Sequence, residues 1–214
     1  MEEIENSKQW KVNIVEDDKF PFIVIDNWYS KNEEIAVWKE LDYYFCNGNI
    51  YSRAENNTDI ARIDGKALGK TSRLYLDNIY NNRRHSIILN MLYKQRSKQF
   101  KDILEKTFIN HYTFNQTDRD STLISYYEDS DYYDTHIDTA RFTCLIWLHK
   151  TDKPVFEGGD FILDQADTTI KFKNNRLVFF PSWYYHTVTP ISIKENNKGK
   201  NLGRYTITHF YNTR

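Results

Sequence analysis

The sequence predicts a mainly β fold with N-terminal α-helices, its C-terminal half a sandwich or jelly roll of two packed sheets. Three observations carry this. After Asp120 the chain offers about eight short alternating runs in roughly ninety residues, the spacing of strands in a closed two-sheet domain. The breaks between them hold turn chemistry, as in Glu157-Gly158-Gly159-Asp160 and Lys173-Asn174-Asn175. Before Asp120, apolar residues recur instead at helical spacing in two stretches.

A chain of 214 residues is long enough for one sizeable core. A single domain is therefore expected over 1–214, with strand and helix support over 1–119 and the β core over 120–214. The 29 basic and 30 acidic residues leave no whole-protein field to hold a polyanion, so no nucleic-acid partner is expected. Cys46 and Cys144 are too few and too far apart for a disulfide framework or a Cys-rich zinc site, and a reduced, cytoplasmic setting fits them. The acidic start, Met1-Glu2-Glu3-Ile4-Glu5-Asn6, lacks the features of a secretory signal. No run approaches the ~20 apolar residues of a membrane span, so no membrane partner is expected. The 16 tyrosines and 13 phenylalanines, against 7 glycines, point to a core built largely from aromatics. Nothing in these patterns sets the oligomeric state.

In chain order, Phe20-Pro21-Phe22-Ile23-Val24-Ile25-Asp26 is a β-branched and aromatic run that reads as a strand. Ser30 can cap the helix that follows, with Glu33 completing a capping box. Ile35, Val37, Trp38, Leu41 and Tyr44 then mark its apolar face. From Asn47 to Lys70 no period holds. A connection of this length is usually a lid or a mobile loop, here assigned as a substrate lid over 45–72, although a short hairpin fits within it. Arg73 to Asp77 alternates as a strand, and a second helical pattern runs from about Ser86 to Phe108. Strands are then expected over 122–127, 133–138, 142–149, 160–163, 168–172, 176–180, 186–191 and 204–211. The stretch from Ser192 to Gly203 reads as an exposed loop.

The chemistry centres on Tyr132-Tyr133-Asp134-Thr135-His136-Ile137-Asp138. On a strand, His136 and Asp138 at i and i+2 project the same way, about 7 Å apart. Two imidazoles and one carboxylate on one face of a metal form the facial triad of non-haem Fe(II) oxygenases, and His186 is the candidate third ligand. The tripeptide alone is a weak signal, since short motifs recur by chance. In the last strand, Arg204, Thr206, Thr208 and Phe210 share a face. An inward arginine there needs an anion: a bound carboxylate or an internal salt bridge. In the opposite register it would face water.

The ordered set Tyr127…Tyr133-x-x-His136-x-Asp138…Gly158-Gly159…Leu177-Val178-Phe179-Phe180-Pro181…His186-x-Val188-x-Pro190…Arg204-Tyr205-x-Ile207-Thr208 resembles the Fe(II)/2-oxoglutarate dioxygenases of the prolyl 4-hydroxylase type. The resemblance covers about residues 120 to 212 and, more weakly, Phe22 to Phe45. It implies a double-stranded β-helix core with Fe(II) on His136, Asp138 and His186, which are then also the catalytic residues. It implies 2-oxoglutarate and O2 as cosubstrates, with ascorbate as a further reductant. Arg204 would pair with the 5-carboxylate of 2-oxoglutarate, and Tyr127, or Tyr126 in its place, would reach the cosubstrate. Thr143 and Thr208 match positions lining that pocket. Trp147 falls where some relatives carry a tyrosine, and an indole offers one donor and no acceptor.

Hydroxylation of an unactivated C–H bond is the implied reaction, because Asp138 is present where halogenating relatives carry a small residue. The implied substrate is a prolyl residue in a peptide or protein, with Arg141, Trp183, Tyr51 and Arg53 as candidate contacts. The same chemistry on a free amino acid, a small metabolite or a nucleobase is the alternative. Arg214 comes too late after Arg204 to match the second arginine of nucleobase-demethylating relatives. A non-catalytic jelly-roll module would lack a ligand or the arginine, and neither is missing. A zinc hydrolase on the same three ligands would leave Arg204 unexplained. The loop between His186 and Arg204 is longer than in those relatives, which a surface loop tolerates. His85, His111, His149, His209 and Cys144 receive no chemical role.

Overall fold

The computed structural model describes residues 10–15, 19–46, 52–53, 60–107 and 111–214. The chain opens with strands β1 (Lys11–Val15) and β2 (Phe22–Asp26) and helix α1 (Lys31–Cys46). Short strands β3 (Ser52–Arg53), β4 (Arg62–Ile63), β5 (Lys66–Ala67) and β6 (Gly69–Lys70) precede β7 (Ser72–Tyr75). Four helices follow: α2 (Ile87–Asn90), α3 (Tyr93–Arg96), α4 (Lys98–Leu104) and α5 (His111–Asn115). The rest is strand: β8 (Arg119–Tyr127), β9 (Tyr132–His136), β10 (Phe142–Leu148), β11 (Phe156–Gly158), β12 (Phe161–Leu163), β13 (Thr168–Ile170), β14 (Arg176–Pro181), β15 (His186–Val188), β16 (Ile191–Ile193) and β17 (Arg204–Asn212).

An eight-stranded sheet in the order β1-β2-β14-β10-β17-β8-β7-β3 faces a five-stranded sheet in the order β13-β12-β15-β9-β6. All pairings are antiparallel. This is the mainly β jelly roll that the strand pattern predicts. Its layers follow from the two-residue period of β10. Cys144, Ile146 and Leu148 point into a core shared with Val37, Leu41 and Tyr44 of α1 and with Phe100, Ile103 and Leu104 of α4. Leu145 and Trp147 point the other way, into the space between the sheets with Phe161, Leu163 and Val188. A slip of one residue would exchange the two sets, so burial on both faces fixes the register. The cavity described below lies in that inter-sheet space.

The capping box forms as predicted: the Ser30 amide donates to Glu33 Oε2 at 2.7 Å and the Glu33 amide to Ser30 Oγ at 3.3 Å. Such a cap contributes about 1 kcal/mol. The helix expected over 86–108 is instead α2, α3 and α4. Ser97 breaks it with an extended ψ of 155° and a side chain that accepts from the Phe100 amide, a local bond that competes with the helical one. The strand expected over 186–191 also divides. Pro190 has no N–H to donate, and the chain passes from β15 in the five-stranded sheet to β16, which pairs with β11.

Within the aperiodic 47–70 stretch, residues 47–51 and 54–59 lie outside the described residues. The described part holds a tight β4–β5 hairpin turning at Asp64 and Gly65, whose φ values of 50° and 78° suit a two-residue turn of left-handed residues. It also holds β6, built onto the edge of the five-stranded sheet through Gly69 opposite Tyr133. The strands β1, β11 and β16 and the helix α5 are further elements that local periodicity did not indicate. No helix among the described residues is long and apolar enough to cross a membrane.

Gly158 closes the β11–β16 pair with φ +77°, and a Cβ there would lie 2.0 Å from the Pro190 carbonyl oxygen. Both the left-handed backbone and the contact exclude a side chain. Gly158→Ala is expected to destabilise the fold by about 2–3 kcal/mol, read as a lower urea midpoint at unchanged slope. An unchanged midpoint would mean that this turn rearranges freely.

Candidate active site

The site begins with one cross-strand pair. In the centre of the five-stranded sheet, β9 and β15 place His136 directly opposite His186, and their ring centroids are 4.2 Å apart. The strand expected over 133–138 ends at His136, because the Asp138 amide turns away to donate to the Ser182 carbonyl at 3.0 Å. That turn still brings the carboxylate back. Asp138 Oδ1 lies 3.7 Å from His136 Nε2, and Oδ2 lies 3.6 Å from His186 Nε2. One ligand atom from each residue falls within 4.8 Å of the other two.

Hydrogen bonding sets the tautomers. His136 Nδ1 lies 2.8 Å from the Asp134 carbonyl and His186 Nδ1 lies 2.9 Å from the Tyr184 carbonyl. A carbonyl only accepts, so each Nδ1 carries the proton and each Nε2 presents a lone pair to the centre. Burial, reinforced by the neighbouring His186, pushes the His136 pKa down to about 2. Neutral imidazoles and one carboxylate are the donor set of a divalent transition metal with open positions.

Asp138 is held from behind. Thr143 Oγ1 donates to Asp138 Oδ2 at 2.7 Å and lies 2.8 Å from Ser182 Oγ. Thr143, expected to line the cosubstrate pocket, is fully buried beneath the carboxylate instead. Thr143→Val removes that donor while nearly preserving shape. Iron affinity is expected to fall about 10–100-fold, as for other outer partners of metal ligands, measured by anaerobic Fe(II) titration. Unchanged affinity would remove Thr143 from the site.

A cavity of about 580 Å³ connects this cluster to the inner face of the large sheet. Strand pairing builds its wall in rows. Arg204 stands opposite Tyr127, and Thr206 stands opposite Ser125 and Trp147. Arg73 extends the second row across β7. Arg204 is 1% exposed, its guanidinium carbon 5.0 Å from the Tyr127 ring centre and 5.1 Å from that of Trp147. Its three guanidinium nitrogens, Trp147 Nε1 and Thr206 Oγ1 are buried with no acceptor at hydrogen-bond geometry among the described residues. Burial lowers the Arg204 pKa, and the nearby Tyr127 hydroxyl and Asp160 compensate in part. A cluster of buried donors without acceptors fits a carboxylate. Among the described residues no acid forms a salt bridge with Arg204, and its side chain is buried rather than facing water.

The rivalry between adjacent tyrosines resolves by strand face. Tyr127 lines the cavity. Tyr126 points into the helical layer, donating to Glu128 Oε2 at 2.6 Å and packing on Phe45 and Tyr205. Thr208 lines the cavity, and Trp147 lies beside Arg204.

The expected substrate contacts fare differently. Arg141 is exposed and absent from the cavity wall. Trp183 is 54% exposed, stacked edge-on against Tyr184 outside the cavity. Both follow the ligands in sequence, but the loops carrying them turn outward. Tyr51 and the Arg53 side chain lie outside the described residues. The wall instead includes Arg73, Tyr75, Asn78 and Ser125. Alternation in Arg73-Leu74-Tyr75 showed that Arg73 and Tyr75 share a face, but not that β7 would lie beside β8.

Among the described residues, the remaining histidines stay apart from the metal cluster. His209, on the face opposite Arg204, lies 2.9 Å from Thr122 Oγ1 through its Nδ1, and burial pushes its pKa down to about 3. The His111 side chain is outside the described residues. Burial pushes the Cys144 thiol up to about 12, leaving it unreactive.

Residues 122–212 match the family model of the 2OG-Fe(II) oxygenase superfamily. Among solved structures, the chain is similar to a prolyl-4-hydroxylase from Pseudomonas putida, with a TM-score of 0.59 and 14% identity over 96% of this chain and 93% of that one. It is also similar to a viral collagen prolyl hydroxylase from Paramecium Bursaria Chlorella virus-1, with a TM-score of 0.53 and 14% identity over 89% and 94%. A third is a prolyl hydroxylase from Trichoplax adhaerens in complex with a hypoxia inducible factor peptide fragment, with a TM-score of 0.56 and 15% identity over 89% and 82%. At these identities the likeness is one of fold. No curated protein matches the sequence.

Proposed function

We propose, from the premise that residues 122–212 are a 2OG-Fe(II) oxygenase domain, that the chain hydroxylates a prolyl residue in a peptide or protein, with iron held by His136, Asp138 and His186. The chain is a 2-oxoglutarate-dependent dioxygenase that uses Fe(II), 2-oxoglutarate and O2. When bound, these supply the oxidising chemistry, converting 2-oxoglutarate to succinate and CO2 while one oxygen atom goes to the substrate. The protein's own part is binding, orientation and exclusion of water.

The observation that carries the reading is that the three-ligand cluster and the acceptor-free donors around Arg204 open on the same cavity. In this reading Arg204 and Thr206 receive the distal carboxylate of 2-oxoglutarate, and Trp147 adds its indole N–H. Tyr127 and Thr208 flank the cosubstrate, and Thr143 positions Asp138. The prolyl part draws on the fold shared with prolyl hydroxylases. Residues 120–214 act as the catalytic core of a single domain. Of the segment read as a substrate lid, 45–72, the described residues Ile60 and Ala61 reach the cavity wall, which supports that role. In this reading Arg141 and Trp183, which lie outside the cavity wall, would meet only the flanking part of a longer peptide. A cytoplasmic setting accords with a free, buried Cys144.

The test is succinate formation after oxygen is admitted to anaerobically Fe(II)-loaded protein, with and without proline-containing peptides. Peptide-stimulated turnover with one oxygen atom gained by the peptide supports the reading. Iron-dependent turnover that only small metabolites stimulate would overturn the prolyl assignment, and failure to bind iron would overturn the site.

A further inference from the structure

We infer that Gly159 is a positioning residue for the cosubstrate: by carrying no side chain it lets the Arg204 stem pass, and so fixes where the guanidinium meets the distal carboxylate of 2-oxoglutarate. This rests on the iron and 2-oxoglutarate reading above. Gly159 is buried, and its φ of +69° lies in the left-handed region that side chains disfavour. A Cβ there would lie 2.8 Å from Arg204 Cδ, and 3.1 Å and 3.3 Å from Cδ1 and Cγ1 of Ile191. Ordinary contact begins at 3.4 Å, so the Arg204 stem would have to retreat by roughly half an ångström. The space for that retreat is already taken up. The guanidinium carbon lies 5.0 Å from the Tyr127 ring centre, 5.1 Å from that of Trp147 and 6.0 Å from that of Phe172. A displaced guanidinium would press on these rings or swing its N–H groups out of line.

Gly159 is itself held from the metal side. The next residue, Asp160, donates its amide to Thr189 Oγ1 at 2.9 Å, and the Thr189 amide donates to the Asp160 carbonyl at 3.0 Å. Directly afterwards β12 pairs with β15, with Leu163 opposite His186. The turn is therefore anchored to the strand that carries His186, whereas Arg204 belongs to the other sheet. At Gly159 the backbone of one sheet's connection touches the anchor on the other, and the span between His186 and Arg204 is set there. Asp160 adds a second hold. Its Oδ1 accepts from the Phe172 amide at 3.0 Å, which keeps the Phe172 ring beside the guanidinium.

Close approach of backbone suits this task. In this reading 2-oxoglutarate is held at two ends, by the metal cluster and by Arg204. Two parallel N–H···O bonds between a guanidinium and a carboxylate demand alignment. An error of a fraction of an ångström at Arg204 is therefore felt at the distal carboxylate and not at the 2-oxoacid end.

The experiment is anaerobic calorimetry of the Fe(II)-loaded protein, without turnover, using two probes. One is 2-oxoglutarate; the other is 2-oxopentanoate, which has the same five-carbon 2-oxoacid chain but ends in a methyl group. Gly159→Ala is expected to weaken 2-oxoglutarate about 10–100-fold, the range for one charge-assisted hydrogen bond put out of line. The affinities for 2-oxopentanoate and for Fe(II) should not change. In an Arg204→Leu background the same substitution should cost 2-oxoglutarate nothing further, because a residue acting through another is not additive with it. A merely structural role would weaken both probes together, or repeat its cost in the Arg204→Leu background. Either result would overturn the inference, as would unchanged 2-oxoglutarate affinity. If Gly159→Ala does not fold, Thr189→Val decides, since it removes the acceptor of the Asp160 amide that holds the turn. A several-fold loss confined to 2-oxoglutarate supports the inference, and equal effects on the two probes, or none, reject it. The parent judges the underlying site separately: equal affinity for both probes would mean that Arg204 receives no carboxylate, and Gly159 would then have nothing to position.

Discussion

His136→Ala is expected to abolish Fe(II) binding, and with it all succinate formation. Three protein ligands are the minimum for a facial site, and the alanine leaves one imidazole and one carboxylate. The loss should exceed the roughly 10–100-fold that follows removal of an outer partner. His136 is also one half of the directly opposed pair with His186, so no other histidine among the described residues can replace it. Asp138→Ala should behave alike, for a second reason: it removes the only acid among the described residues of the cavity wall. The measurement is anaerobic Fe(II) titration, paired with thermal unfolding of the metal-free proteins to show that the fold persists. If either variant held Fe(II) as tightly as the parent, the triad would be wrong.

Arg204→Leu should leave iron in place and weaken 2-oxoglutarate by about 100–1000-fold, the effect of truncating one side of a buried charge pair. The stability of the metal-free protein makes the argument sharper. An arginine buried without an acceptor is unfavourable, and replacing such a charge by a well-packed apolar residue is often neutral or stabilising. The variant should therefore unfold at the same urea concentration as the parent, or a higher one, while losing its cosubstrate. Conversely, 2-oxoglutarate should stabilise the metal-loaded parent by about 2.7 kcal/mol at a hundred times its Kd and leave the variant unmoved. Calorimetry and urea denaturation read the two effects independently. A variant with unchanged 2-oxoglutarate affinity, or a metal-free variant that unfolds several kcal/mol more easily, would make Arg204 a structural residue.

Much of this site is legible along the chain because its signals are local. His136 and Asp138 are two residues apart, and Arg204, Thr206, Thr208 and Phe210 share a face by the pleat alone. The ordered motifs from Tyr127 to Thr208 then tie the two ends together. Legibility fails where local and distant bonds compete. Ser97 carries a cap inside an apolar helical pattern, and Pro190 interrupts an alternation that otherwise looks continuous. Alternation predicts Asp138 on a strand, yet its amide donates to the carbonyl of Ser182, a residue forty-four positions later in the sequence.

What the sequence by itself determined is therefore which residues share a face, where Ser30 and Glu33 cap a helix, and which residue types could hold iron and a carboxylate. The tertiary structure alone decided which faces meet: His136 opposite His186, Trp147 opposite Thr206, Thr143 beneath Asp138, and Tyr133 against both Arg73 and His136. The reason is physical. Periodicity and capping are set by dihedral angles and bonds within a few residues. Strand order and register minimise the free energy of the whole packed core, through contacts between residues far apart in the chain.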